Sequence, residues 1–220
     1  MPAADYKLVS HAGERAAFTF CMCPGGEVIP SASAEGEIVT NGMSYFARDN
    51  KNANSALVVQ VKKEDFKGEH PLAGVAFQRK IEQAAFEAAG KKGKAPVQLV
   101  GDFLGGKESY YFGEVQPTYS AGTAFAPMNA ILPPIITSTL RAAIVDMNFR
   151  LNGFSAFDAV LTGVETRTSS PVRILRGENL QAAGYSNVYP CGEGAGYAGG
   201  ITSSAADGLR VAGAIANQYI

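Results

Sequence analysis

The chain has 220 residues, 19 Lys and Arg against 20 Asp and Glu, 46% hydrophobic residues, 25 glycines and no tryptophan. This composition excludes a disordered chain or a mini-protein scaffold, because a globular chain of this length buries roughly 70% of its unfolded surface. A formal net charge of −1 with no long basic block argues against nucleic acid or an anionic membrane as the main partner, since those surfaces need a concentrated cationic face.

The single basic run, Lys91-Lys92-Gly93-Lys94, reads as a solvated loop. The first residues, Met1 to Lys7, carry no apolar signal core, and no stretch approaches the ~20 apolar residues that span a bilayer. The expectation is a cytoplasmic protein. Cys21, Cys23 and Cys191 are an odd count without a secretory signal, so a disulfide framework is not expected.

In chain order, Tyr6–His11, Ala16–Met22, Glu27–Ser31 and Glu37–Asn41 read as short strands. Ala12-Gly13-Glu14, Pro24-Gly25-Gly26 and Glu35-Gly36 separate them as hairpin turns, which implies an antiparallel sheet. A polar loop, Ala47 to Asn54, leads to the strand-like run Ala56–Val61. Its charged and amide-rich part, Arg48 to Asn54, needs no role beyond that of a surface loop.

Residues 71–89 predict a helix, with Pro71 in the first turn, Phe77, Ile81, Ala84, Ala85 and Ala88 on one stripe and Gly90 as the stop. Val97–Phe103 and Ser109–Val115 are strand candidates. A second helix is expected from Pro134 to about Leu151, with Ile136, Leu140, Ala143, Ile144 and Met147 at helical spacing. Ala159–Gly163 and Val172–Leu175 read as strands flanking a polar stretch. Ser186–Cys191 predicts a strand, Gly192 to Gly200 a glycine turn, and Ile201 to Tyr219 a helix. That helix aligns Ile201, Ala205, Leu209, Ala212, Ile215 and Tyr219 on a face suited to packing on a sheet.

Five of the 25 glycines fall between Gly192 and Gly200, so something must come close to that backbone. Gly194-Ala195-Gly196-Tyr197-Ala198-Gly199 matches G-x-G-x-x-G between a predicted strand and helix. A complete dinucleotide unit also needs a second strand and an acid about 20 positions on, whereas the sequence after Gly199 reads as helix. What stands is a helix N-terminus with free N–H donors, reached through backbone without side chains. Glu193 could accept hydrogen bonds from sugar or ribityl hydroxyls. The plain structural alternative is a tight helix–sheet contact.

Gly101 to Glu108 falls one residue short of a phosphate-binding loop, and Glu108 stands where a Ser or Thr should bind Mg²⁺. That reading fails. Cys21, Cys23 and Cys191 with His11 or His70 could close a zinc site. The favoured reading is a buried, inert pair, because alternation along a strand puts Cys21 and Cys23 on one face. His70 reads as a helix-entry residue. Arg167, Thr168, Ser169, Ser170 and Arg173 form a cluster able to hold an anion, or else a solvated turn with surface ion pairs.

Several segments together resemble one known family: Cys21-Met22-Cys23-Pro24-Gly25-Gly26, Asn41-Gly42-Met43-Ser44, Ala53-Asn54-Ser55-Ala56, Pro71-Leu72-Ala73-Gly74, the stretch Glu165 to Ile174, and the stretch Tyr189 to Ile201. The chain is similar to the C-terminal half of the uncharacterised FAD-dependent dehydrogenases, which are NAD(P)/FAD-dependent oxidoreductases. The resemblance implies an α+β fold. An antiparallel-sheet substrate domain (1–185) would end in the last strand and helix of a Rossmann-type FAD-binding domain (186–220), with the N-terminal FAD-binding half absent.

It further implies that Gly192 and Glu193 approach the ribityl–pyrophosphate part of FAD, that Gly194 also belongs to the cofactor site, and that Gly199, Gly200 and Ile201 lie at the helix N-terminus beside the flavin's pyrimidine edge. Arg167, Ser169, Ser170 and Arg173 would line the substrate side and orient an anionic small molecule, with NAD(P)H as an electron donor. The chain alone would bind FAD poorly, its partner being the missing half. The alternatives are a non-enzymatic interaction domain derived from a flavoprotein and a homodimer covering the uncompleted surface.

Overall fold

The computed structural model describes residues 7–218, so Tyr6 of the first predicted strand and Tyr219 of the last predicted helix lie outside the described residues. The chain forms two compact units, residues 1–65 with 78–166 and residues 66–77 with 167–220. The expected boundary at 185/186 falls inside the second.

The first unit is built around an antiparallel sheet. Strand β1 (Val9–Ser10) pairs with β2 (Ala17–Pro30), which pairs with β4 (Asn52–Val59) along its first part and with β3 (Thr40–Met43) along its last. Gly36, at φ 76, supplies the left-handed turn expected between β2 and β3.

Pro24-Gly25-Gly26 is not a hairpin turn, because β2 runs straight through it. The ladder with β4 accommodates these residues by slipping twice, between Phe20 and Cys23 and again between Cys23 and Gly26. A Cβ at Gly25 or Gly26 would collide with the backbone of Arg48 and Asn50 or of Met43. These glycines therefore permit close chain approach rather than chain reversal. The slip also breaks the alternation expected at the thiols: Cys21 is exposed and Cys23 half-buried, so the pair is not a buried one.

A second sheet has β5 (Ala95–Leu99) in the centre, parallel to β6 (Thr123–Phe125) and antiparallel to β7 (Val160–Thr162). Every residue of β5 is buried; the polar Gln98 among them donates to Lys107 carbonyl and accepts from Met128 N–H. The predicted strand through Phe103 stops at Leu99. Val100 and Gly101 donate their N–H groups to Ala159 and Phe157 and open helix α2 (Val100–Gly105). A side chain at Gly101 would run into the Phe157 ring. Residues 109–115 form no strand: Tyr110 and Tyr111 are exposed, and Ser109 turns inward, accepting from Leu99 N–H and donating to Asp102.

Both long predicted helices of this region form. Helix α1 (Ala73–Ala88) ends at Gly90, φ 81, as its spacing requires. The short α3 (Met128–Ile131) precedes α4 (Pro134–Asn148), which buries Leu140, Ala143, Ile144 and Met147. Ala17, Ala143 and Met147 are fully buried at the centre of a cluster that Leu8, Leu57, Val59 and Phe154 enclose.

The second unit has no β-ladder among its described residues. Neither expected strand forms: Val172–Leu175 joins no ladder, and Ser186–Cys191 opens on a turn with Asn187 at φ 61, the isolated bridge nearby joining Arg176 to Ala182. Ile174 N–H donates to Ala195, and Val188 accepts from Ala182, so these backbones bond to turns. The Rossmann-type closing strand is therefore not formed here. Helix α5 (Ile201–Ala216) does form. Its predicted packing face is bare over most of its length: Ile201 and Leu209 are 90% and 76% exposed, Ala205 and Ala212 are also exposed, and Ile215 is half-buried. The helix instead buries Val211.

Candidate functional site

The glycine turn is held by two residues that its glycine pattern did not single out, Arg176 and Asp207. Arg176 forms a two-bond ion pair with Asp207 of α5 (2.6 and 3.0 Å) and also donates to the Pro190 carbonyl at 2.7 Å. Its guanidinium lies 3.6 Å from the centre of the Tyr197 ring, a cation–π geometry. Asp207 accepts a further hydrogen bond from Gly192 N–H at 2.9 Å. The bonds from Arg176 and Gly192 hold the Asp207 carboxyl down at about 2, and the pairing raises Arg176. Asp207 is the one acid of α5, and its partner lies far back in the sequence.

Two of the four expected catalytic side chains are engaged with backbone, Arg173 with the glycine turn and Ser170 with its own segment. Arg173 donates to Gly196 carbonyl at 2.9 Å and lies over Tyr197. Ser170 donates to Val172 carbonyl at 2.9 Å, closing a local turn. Gly196, at φ 82, has the Val172 and Arg173 backbone so close that a side chain cannot fit. Ser169 is exposed, beside Gly199, where an added Cβ would come within 3.2 Å of its Oγ. Arg167 is exposed and takes part in an interaction of its own.

The expected cofactor-binding residues divide. Gly192 is buried at φ 67, with its N–H spent on Asp207 and its carbonyl accepting from Tyr197 N–H. It shapes the turn from inside. Gly194 and Gly199 are exposed, Gly200 and Glu193 half-buried. A Cβ on Gly194 would meet nothing within 4 Å, so packing within the chain does not demand a glycine there. Gly200 N–H is taken by Ser203 Oγ at 3.2 Å. Ile201 and Thr202 are exposed in the first turn of α5, where helix geometry provides their N–H groups with no intrahelical acceptor. Ser204 Oγ is buried nearby without a hydrogen-bond partner among the described residues.

An exposed helix N-terminus behind bare glycines, with an orphaned hydroxyl in the same turn, fits a ligand carrying phosphate or carbonyl oxygens. Among the described residues, no three His, Cys, Asp or Glu side chains are grouped to hold a metal ion.

Residues 1–168 match the family described as FAD-dependent protein, C-terminal domain-like, and the chain belongs to that family. It is also similar to an uncharacterised protein of Clostridium beijerinckii, 50% identical over 219 residues, or 99% of this chain. The chain spans 41% of that relative's length. Of the expected site residues, Arg167 lies within the family match and Ser169 to Ile201 lie beyond it. The matched description supports a flavoprotein-related domain. Among the described residues no helix is long and apolar enough to cross a membrane.

Proposed function

We propose that this chain supplies the substrate-side domain and the flavin-edge segment of an FAD-dependent oxidoreductase, completed by a nucleotide-binding part that belongs to the remainder of a longer protein. The observation that carries this reading is the N-terminal part of α5. Free N–H donors and bare glycines at its start adjoin a stripe of Ile201, Ala205, Leu209 and Ala212 left without cover. A helix with an apolar stripe ordinarily buries it.

In this reading the N–H groups of Ile201 and Thr202 stabilise negative charge at the flavin's edge, and Glu193 accepts hydrogen bonds from ribityl hydroxyls. Gly194, Gly199 and Gly200 let the ligand approach the backbone. FAD, when bound, supplies the redox chemistry, with NAD(P)H as electron donor. Arg167 and Ser169 orient an anionic substrate, while Arg173 keeps the glycine turn in shape and Ser170 closes the local turn at Val172. A cytoplasmic location belongs to the same proposal. The commitment of Arg173 and Ser170 to backbone carbonyls favours, as a second reading, an interaction domain that has kept the flavoprotein fold without its catalysis, the bare stripe then serving a partner or a second copy.

The test is to titrate FAD into this chain, into the portion of the C. beijerinckii relative that it does not cover, and into their mixture, recording the flavin spectrum. Binding that appears only in the mixture supports the proposal. Stoichiometric flavin on this chain alone, or none in the mixture, overturns it.

A further inference from the structure

The loop between β3 and β4, residues 44–51, has no part in the flavin reading, and it carries two aromatic rings into solvent. Tyr45 is 67% exposed and Phe46 105%, an exposure that only a protruding side chain reaches, and Met43 beside them is exposed as well. Adjacent exposed apolar side chains of this size mark an interaction site more often than a bare surface.

The loop is fastened along its length. Met43 carbonyl accepts from Asn54 Nδ2 at 3.2 Å, and Ser44 Oγ accepts from Cys23 Sγ at 3.4 Å. Arg48 N–H donates to the Tyr45 carbonyl at 3.1 Å, closing a turn around Phe46, and Arg48 itself sits at φ 53. A side-chain-bearing residue holds that left-handed conformation only where its surroundings impose it. Here the Arg48 and Asn50 backbone fills the space that a Cβ on Gly25 would need. At the far end Asn52 Nδ2 donates to the Gln116 carbonyl at 2.7 Å. The two rings therefore stand on a backbone already ordered, which lowers the entropy that binding must spend, as in aromatic anchors of protein interfaces.

The occupant follows from how much protein lies outside this chain. The loop falls within the match to the C-terminal domain-like family, and the chain spans 41% of the length of its C. beijerinckii relative, so the larger part of that protein is a surface to be docked on. A lipid surface suits the loop poorly, because Arg48 and Lys51 are offset by Asp49 and form no cationic rim.

We propose that Tyr45 and Phe46 anchor the first unit to the remainder of the longer protein, their rings seated in an apolar recess whose edge accepts a hydrogen bond from the Tyr45 hydroxyl. This contact rests on the reading of the chain as one part of a longer flavoprotein, and adds to it a second anchor in the unit that does not contain α5.

The experiment mixes the full chain with the portion of the C. beijerinckii relative that it does not cover, measuring the dissociation constant and, by hydroxyl-radical footprinting, the oxidation of Tyr45 and Phe46. Both rings should lose most of their reactivity in the mixture. Y45S/F46S should bind at least about tenfold more weakly, while F46Y, which keeps the ring, should stay within about threefold of the parent. The footprint is read on the parent chain and so holds whatever the stability of the variants. Rings equally reactive with and without the remainder, or binding unchanged in Y45S/F46S, would overturn the contact and leave the flavin reading standing. Protection that arises in the chain alone as its concentration rises would assign the rings to a second copy and overturn the contact too. A parent chain that does not bind the remainder overturns both.

Discussion

Arg176 and Asp207 are joined by two hydrogen bonds, at 2.6 and 3.0 Å, with side chains only 6% and 12% exposed. This pair ties the segment before the glycine turn to the helix after it. D207N removes the charge while Gly192 N–H and the guanidinium stay buried, and should destabilise the fold by about 2 kcal/mol in urea denaturation. The native contribution follows the carboxylate. It is full above the ordinary value of 3.8 and is lost as pH falls towards about 2, so D207N should flatten stability across that window.

Gly194 and Gly196 sit in the same motif but answer to different constraints. G196A forces a side chain into the backbone of Val172 at φ 82 and should cost about 2 kcal/mol or more. G194A meets open space and should stay within about 0.5 kcal/mol of the parent. Thermal unfolding of the two variants side by side checks this contrast.

Glu165 gives a pH dependence of opposite sign. Burial raises its carboxyl from 4.5 to about 7, so the folded chain holds its proton more tightly than the unfolded chain. The contribution is full below pH 4.5, declines as pH rises through about 7, and is flat beyond. E165Q should lack this decline and be more stable than the parent at pH 8 by on the order of 2 kcal/mol. Denaturation at pH 5 and pH 8 measures it.

The bare stripe of α5 makes a separate expectation. Leu209 is 76% exposed, so L209E should change the stability of the isolated chain by no more than about 0.5 kcal/mol. In the mixture with the remainder of the longer relative it should abolish co-purification. A large loss of stability in L209E alone would mean that the residue is part of this chain's own core.

The elements legible in the sequence were those whose signal is local. Helices α1, α4 and α5 follow from apolar spacing and from their stops, and Gly90 closes α1 with the left-handed φ its position implied. What escaped was set by partners distant in the chain. Tyr110 and Tyr111 have strand-forming chemistry but no strand edge to join. Ser186–Cys191 has a strand's composition, and its backbone groups bond to turns instead. Within the candidate site, glycine density located the turn, but Arg176 and Asp207 stand 31 positions apart, and no local pattern announces such a pair.

The two slips of β2 carry a further consequence, one of parity. Phe20, Cys23 and Gly26 stand opposite Ala56, Asn54 and Asn52, so the partner residues keep one face while β2 advances three positions at each step. Each slip alone would invert which side chains point inward, and the two together restore the original phase. Inserting or deleting a single residue between Phe20 and Gly26 would therefore turn the far half of the strand inside out, whereas a change of two would not. In homologous sequences, length variation across this segment is expected to come in even numbers.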